Sequence, residues 1–570
     1  MSGTWPSVWA PSAASVELVL GEARHPMRPE GDGWWVGPDA LAPGTDYAFA
    51  VDGGEPLPDP RSPFQPDGVH GPSRTVDHAA FAWTDDGWGA PPLADAVIYE
   101  LHVGTFTPGG TFASAIDRLD ELVELGVTHL ELLPVAEFSG DRGWGYDGVN
   151  LYAPHHAYGG PEGLKRLVDA AHGRGLAVLL DVVYNHLGPE GNHLARFGPY
   201  FTDRYTTAWG PAVNFDDRGS HEVRRFVTDN ALMWLRDYHF DGLRLDAVHA
   251  IFDMSAVHIG EELTTAVRGL EQELGRRLVV TAESDLNDPR CVQPPELGGY
   301  GMDAAWADDV HHAIHVALTG ETDGYYADFT DDGELPRALC DPYLYDGRYA
   351  PARDRHHGRS AGDLPGDRFI ACIQNHDQVG NRARGDRLAH LVSEGRARIG
   401  AALLLTSPYV PFLFAGEEWA ASSPFPYFAA HQNPGLAAAV SAGRRDEFVA
   451  FGWDPEAIPD PQDPATFAMA KLDWGERERE SHAGMLAWYR ALIALRADTP
   501  ELRDGDRSAV SAEGAPDGLL TVRRGPISVL ANLGAAPARS EETGAVRLAW
   551  PPDASPACVP PDGVIVIDRR

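Results

Sequence analysis

The sequence predicts an α/β fold: a (β/α)8 TIM barrel flanked by an N-terminal immunoglobulin-like β-sandwich and a C-terminal β domain. Three observations carry that expectation. Across the middle of the 570-residue chain, eight apolar runs alternate with amphipathic helical stretches. Before them, short alternating runs lie between clusters of Gly, Pro, Asp and Trp. After them the chain returns to short alternating runs. A chain of this length exceeds one ordinary core and suggests roughly two to four domains. The expected divisions are 1–92, 93–500 and 501–570.

In the N-terminal segment, alternation at 16–20 and 47–51 between turn signals predicts strands of a small sandwich. Pro91 and Pro92 then precede the change of rhythm. The eight barrel strands are expected at 97–103, 127–133, 177–183, 242–246, 278–282, 302–306, 369–373 and 410–414. Helices fall between them, including 112–125, 161–174, 222–238 and 260–274. In the third of these, Asp229, Leu232, Trp234, Leu235 and Tyr238 show the spacing of a core-facing stripe. A last helix is expected around 482–496, and the short strands of 506–570 form the C-terminal β domain.

Composition narrows the partners. Hydrophobic residues at 43% suffice for globular packing, and 46 basic against 84 acidic residues give a formal charge of −38. Such a field repels phosphate backbones and anionic membrane surfaces, so neither nucleic acid nor a membrane is expected as a partner. The acids are dispersed along the chain rather than gathered in a tail, which reads as an adaptation for solubility. Cys291, Cys340, Cys372 and Cys558 are far apart without metal-ligand spacing, which fits a reducing compartment. The N-terminus lacks a basic segment followed by an apolar core, and no apolar stretch is long enough to span a bilayer. A cytoplasmic location is expected.

Four segments end apolar runs with acidic residues: 181–186 (DVVYNH), 241–251 (DGLRLDAVHAI), 282–288 (AESDLND) and 374–382 (QNHDQVGNR). They fall at the C-terminal ends of expected strands three, four, five and seven, the face that carries the active site in barrel enzymes. Along the fourth strand side chains alternate, so Leu243 and Leu245 face one side while Arg244 and Asp246 face the other. A guanidinium two residues away on the same face keeps a carboxylate ionised and oriented, which suits a nucleophile. Asp246 is thus the candidate for covalent catalysis. Any one of these runs could instead be a strand with a surface ion pair, which contributes little.

Together, in this order and with these flanks, the four segments resemble the signature regions of the alpha-amylase superfamily of glycoside hydrolases and transglycosylases. The resemblance implies a retaining mechanism built on two carboxyl groups of different proton affinity. Asp246 takes the nucleophile's place and Glu283 that of the acid and base. Asp377 matches the aspartate that grips the sugar hydroxyls, and His376, preceded by Asn375, matches the histidine bonded to the same sugar. By resemblance His186 lines that subsite while Asp181 braces Arg244, itself assigned to the substrate site, at the barrel mouth. The run GWGYDGVN (143–150) matches the segment whose tyrosine lies beneath the reacting sugar, which points to Tyr146. Trp144 and Trp209 are candidates for outer subsites.

Many relatives bind calcium through an asparagine matching Asn185, with further ligands from a long insertion after strand three. Here the connection 187–220 is short and no set of oxygen ligands can be assembled, so neither metal nor other cofactor is expected. The doublets His155 and His156, His311 and His312, and His356 and His357 lack a confirming third ligand.

The start VWAPSAASVELVL resembles the sandwich that precedes the barrel in branching, debranching and trehalose-releasing enzymes, a likeness that narrows the group. The strings YFTDRYTTAWGPAVNFD, NHDQVGNRARGDRL, LFAGEEWAASSPFPYFAAH and GRRDEF are similar to the maltooligosyltrehalose trehalohydrolase family over the whole chain. That likeness implies cleavage of the α-1,4 bond next to the trehalose unit of a maltooligosyltrehalose, with a maltooligosyltrehalose synthase as pathway partner. It also directs His249, Asp285 and Asn287 to the leaving-group side. Ala415 departs from the methionine common before GEE. Two other readings use the same framework: a branching enzyme or other α-glucan transglycosylase, in which a glucan hydroxyl replaces water, and a catalytically silent glycan-binding barrel, which would be expected to have lost a carboxylate.

Overall fold

A computed structural model of the protein describes residues 4–331, 333–449 and 458–570. Its centre is a closed barrel of eight parallel strands. These are β1 (Ile98–Leu101), β2 (His129–Leu132), β3 (Ala177–Val182), β4 (Gly242–Leu245), β5 (Val279–Ala282), β6 (Ala304–Trp306), β7 (Phe369–Cys372) and β8 (Val410–Phe414). Each strand pairs with the next in the chain, and β8 closes on β1 through Phe412 and Ile98.

Paired residues of parallel strands face the same side, so register sorts the interior into layers. Leu179, Gly242 and Val279 share one level, and Asp181, Arg244 and Thr281 lie two residues above it. The lower level packs as an apolar plug of Ile98, Leu179, Val279, Trp306, Ile370 and Phe412. Above it the buried interior turns polar, with Glu100, Glu131, Asp181, Arg244 and Thr281. Leu243 and Leu245 point the other way, into the main core shared with the surrounding helices.

One helix was expected over 112–125, but there are two, α1 (Phe112–Ile116) and α2 (Leu119–Leu125). Arg118 leaves helical geometry between them, at φ −114° and ψ 1°, while its guanidinium bonds Glu121 and covers the Trp474 ring. Next come α3 (Gly160–His172), α4 (Ser220–Asp237) and α5 (Ile259–Leu274). The inward stripe of α4 is Val223, Phe226, Val227, Asn230, Ala231, Trp234 and Leu235. Asp229 and Leu232, expected within it, are only half-buried, though Leu232 still packs against the main core. Asp229 instead pairs with Arg61 from the N-terminal region at 2.8 Å. Around the rest of the barrel run α6 (Asp308–Thr319), α7 (Glu394–Thr406) and, after α8 (Pro434–Val449), which borders the cleft at the mouth, α9 (Glu480–Asp498).

The N-terminal region holds a three-stranded sheet (Ser7–Trp9, Arg28–Gly31, Trp34–Val36) and a four-stranded sheet (Val16–Leu20, Ala23–Pro26, Asp46–Val51, Ser73–Arg74). The C-terminal region is a five-stranded antiparallel sheet whose last strand, Val564–Asp568, is buried throughout. Two hairpins in the loops above the barrel were not expected. One, Phe201–Thr207 with Gly210–Val213, carries Trp209 at its turn; the other joins Asp346–Ala350 to Arg355–Gly358. Their strands are too exposed and charged to show a clear alternation.

A shorter pairing, Ala136–Glu137 with Asn150–Pro154, presents the run containing Tyr146. The turn requires glycine at 145, where φ is +104° and an added Cβ would stand 2.2 Å from the Pro134 carbonyl oxygen. Gly145→Ala is therefore expected to destabilise the protein by about 1–3 kcal/mol in urea unfolding, and an unchanged midpoint would show that this turn relaxes freely.

Candidate active site

At the C-terminal mouth of the barrel one buried guanidinium holds three carboxyl groups. Arg244 Nη1 donates to Asp181 Oδ1 at 2.8 Å, to Asp181 Oδ2 at 2.7 Å and to Asp246 Oδ1 at 2.8 Å. Its Nη2 lies 3.0 Å from Glu283 Oε2. The cation rests on the Trp306 ring, 5.0 Å from its centre, so apolar packing closes it from below. Asp246 Oδ2 accepts a 2.7 Å bond from the Asn185 amide, and Glu283 Oε2 accepts the Ala247 N–H at 2.7 Å. Strand alternation sends Arg244 inward and register places Asp181 beside it. The next inward position past the end of β4 is Asp246.

A second line of hydrogen bonds crosses the mouth from β1. Glu100 Oε2 accepts the backbone N–H of His376 at 2.8 Å, and its Oε1 pairs with His376 Nδ1. His376 Nε2 lies 2.7 Å from the Tyr146 hydroxyl, which donates to Asp181 Oδ2 at 2.5 Å. The Tyr146 and His376 rings stack with centroids 5.2 Å apart. The two lines meet at Asp181, which thus orients Arg244 and Tyr146 together.

These contacts divide the carboxyl groups by proton affinity. Burial is the largest influence on Asp246 and raises its pKa, but Arg244, the Asn185 amide and His186 together outweigh it and hold the group below the ordinary aspartate value. At Glu283 burial prevails over Arg244, and the nearby Asp246 and Asp377 carboxylates add to it, lifting the group to about 8. Burial also raises Asp181 to about 6 against the pull of Arg244. For His376 burial acts downward, yet the Glu100 carboxylate overrides it and raises the imidazole to about 9. At neutral pH the mouth therefore holds an ionised Asp246 beside a protonated Glu283.

Above this set opens a cleft of about 540 Å³, within the range of small-ligand sites. It is lined by Tyr146, His186, Asp246, His249, Glu283, His376 and Asp377. His186 stacks flat on Trp209, with centroids 4.2 Å apart and planes 4° apart, and Trp209 is 52% exposed, a broad apolar face at the cleft edge. Asp181 and Arg244 lie beneath the lining. Trp144 contributes to the wall but is buried, donating to the Pro426 carbonyl at 3.3 Å.

The structure does not bring every expected residue into the cleft. Asp285 is absent from its lining because its carboxylate is held by Arg353 at 2.9 Å. Asn287 is buried and bonded to Asp309 and the Tyr345 carbonyl, so it braces a loop. Conversely, Glu100 escaped the sequence reading, although an acid within the apolar run IYEL signalled it. Asn381, which donates to Asp377 Oδ1 at 2.7 Å, and Tyr427, Arg444 and Glu447, which line the wall beyond Asp377, carried no signal beyond the strings around them. The Asn185 amide nitrogen serves Asp246, and its oxygen meets His186 Nδ1.

The family model described as alpha amylase, catalytic domain, matches residues 73–204. The malto-oligosyltrehalose trehalohydrolase of Arthrobacter ramosus is 52% identical over 553 residues, covering 95% of each chain. The protein of the same name from Saccharolobus solfataricus is 46% identical over 494 residues, covering 86% of this chain and 85% of its own. Among solved structures, a Salmonella typhimurium protein provisionally named an alpha amylase superposes with a TM-score of 0.92 at 39% identity over 99% of both chains. A pullulanase complexed with maltotetraose from Anoxybacillus sp. LM18-11, at 18% identity and a TM-score of 0.73, shares the fold. No helix among the described residues is long and apolar enough to cross a membrane.

Because Arg244 is the shared counter-ion of the buried Asp181 and Asp246 and also binds Glu283, Arg244→Met is expected to cost about 3–5 kcal/mol of stability at neutral pH. The loss should shrink toward pH 4, where the stranded carboxyl groups can take up protons. Urea unfolding at both pH values checks this; an equal loss at each would mean that packing, and not charge, is what Arg244 contributes.

Proposed function

The chain belongs to the malto-oligosyltrehalose trehalohydrolase family of the alpha-amylase superfamily, and from that premise we propose that the barrel-mouth site performs the family's reaction. It is a retaining glycosidase that cleaves the α-1,4-glucosidic bond next to the trehalose unit of maltooligosyltrehalose, releasing α,α-trehalose and a maltooligosaccharide. The observation that carries the chemistry is Arg244 bound to both Asp246 and Glu283. Two carboxyl groups tied to one guanidinium, with Glu283 also bonded to the residue after Asp246, are close neighbours, as direct attack without an intervening water requires.

Asp246, ionised and fixed by Asn185, attacks the anomeric carbon while Glu283 gives its proton to the departing oxygen. Once the trehalosyl group leaves, Glu283 is a base and takes a proton from the water that opens the glycosyl-enzyme. Asp377 holds hydroxyls of the reacting sugar, His376 and His186 line its subsite, and Tyr146 lies against its face. Trp209 and His249 serve neighbouring subsites. Asp181 holds Arg244 and Tyr146 without touching sugar. The wider glucan substrate class and a synthase that makes the trehalosyl end follow from the family reading. Four free cysteines, two of them buried, support a cytoplasmic location.

Incubation with maltotriosyltrehalose, with maltopentaose as control, tests the reading. Trehalose plus maltotriose from the first and little change in the second are expected. Longer or branched glucans would assign the protein to the transglycosylases, and no turnover of either would leave a silent glycan-binding barrel. Since Glu283 must carry a proton and sits at about 8, kcat/KM is expected to fall tenfold per unit as pH rises above that value. The acid limb should appear only below the ordinary aspartate range, where Asp246 protonates. Asp246→Asn should lower kcat at least about a thousandfold in a variant that still folds, and near wild-type turnover in that folded variant would remove Asp246 from the nucleophile's place.

A further inference from the structure

Away from the catalytic carboxyl groups, the base of the Tyr146 loop gathers Glu137, His155 and His156. One ligand-type atom from each lies within 4.8 Å of the others. Glu137 Oε1 is 2.7 Å from His156 Nδ1 and 3.2 Å from His155 Nδ1, so a single carboxylate oxygen faces two imidazole nitrogens. The other oxygen accepts the His156 N–H at 2.8 Å, which fixes the carboxylate's direction. Glu137 and His155 have no exposed side-chain surface. His155, stacked on Phe138 with centroids 3.8 Å apart, pairs through Nδ1 with Glu137 at 3.2 Å, outside good hydrogen-bond geometry, and its Nε2 meets no partner. A buried imidazole left in that condition is costly unless something else meets it. His156 is 27% exposed and opens a path to solvent, with Asp67 and Asp141 close enough to act on its charge.

We propose that Glu137, His155 and His156 form a binding site for a divalent transition metal, with zinc the best match. Two neutral imidazoles and one carboxylate are a set that zinc accepts, with a fourth position left to water on the open His156 side. Metal–ligand bonds near 2.0–2.1 Å put neighbouring ligand atoms of a tetrahedron roughly 3.3 Å apart. The 3.2 Å separation already meets that, the 2.7 Å one needs a small outward swing of the partly exposed His156 ring, and the two imidazole nitrogens, within 4.8 Å of each other, close on the ion as it binds. His155 and His156 read as a doublet without a third ligand in the sequence; the pairing of Ala136–Glu137 with Asn150–Pro154 supplies it from nineteen residues before His156. A cation there closes the base of the loop that carries Trp144 and Tyr146.

The test uses the full chain, stripped with a chelator and titrated with Zn²⁺ by calorimetry, beside His156→Gln. One equivalent bound by the wild type, at least tenfold weaker in the variant, is expected, together with a thermal midpoint that rises with zinc in the wild type alone. No binding, or the same binding in both proteins, overturns the proposal. If the variant fails to fold, Co²⁺ loaded into the wild type decides: visible bands of a tetrahedral nitrogen and oxygen site support the assignment, and an octahedral aquo-type spectrum overturns it.

Discussion

The structure of the catalytic face depends on one interaction, the fork of Arg244 into Asp181, Asp246 and Glu283. A guanidinium offers its donors in a rigid plane, so carboxyl groups bound to it are fixed in direction as well as charge. Lysine could supply the charge without the geometry. The arrangement is tolerable inside a protein because every partner is bonded more than once. Asp181 also takes the Tyr146 hydroxyl, Asp246 the Asn185 amide, and Glu283 the Ala247 N–H. Removing one carboxyl would leave Arg244 under-compensated, whereas removing Arg244 strands three.

The same cation explains why two acids so close together behave differently. Asp246 gains direct help from Arg244 and a neutral amide, and its charge is favoured against burial. Glu283 receives the longer contact with Arg244 and feels both Asp246 and Asp377 as like charges. Burial works on both, so the difference lies in the balance of contacts and not in depth. An ionised nucleophile thereby secures a protonated neighbour.

Much of this was legible in the sequence because strand geometry is periodic. Alternation in DGLRLD fixes that Arg244 and Asp246 share a face, and eight apolar runs between helical stretches suffice to give a barrel whose mouth collects the strand ends. Contacts set by register or by loop closure were not legible. Asp181 meets Arg244 because of how β3 and β4 align, and nothing local to either strand states that alignment. Glu100 meets His376 because β8 closes on β1 and leaves only that one strand between the first and the seventh. Asp285 and Asn287 misled for the converse reason: they follow Glu283 in an acidic, polar run, but Arg353 and Asp309, from distant segments, claim their side chains. Helix faces erred where polarity and position disagreed, as at Asp229, whose partner Arg61 lies in the N-terminal region.

The line from Glu100 through His376 and Tyr146 to Asp181 adds something the carboxyl triad lacks. It joins β1, the residues after β7, the loop above β2 and the end of β3 through side chains alone, across the barrel mouth. With His376 protonated at neutral pH, both of its ring nitrogens donate, one to Glu100 and one to the Tyr146 hydroxyl, which leaves that hydroxyl's own proton directed at Asp181. Every donor in the chain then has one acceptor and the Tyr146 ring has one orientation. An α-glucan carries no charge by which the enzyme could grip it, so its reacting sugar must be placed by ring faces and hydroxyl contacts. Fixing the tyrosine through a charged histidine turns buried electrostatics into a steric platform for a neutral ligand, and this gives the site a use for charges that never touch the bond being broken.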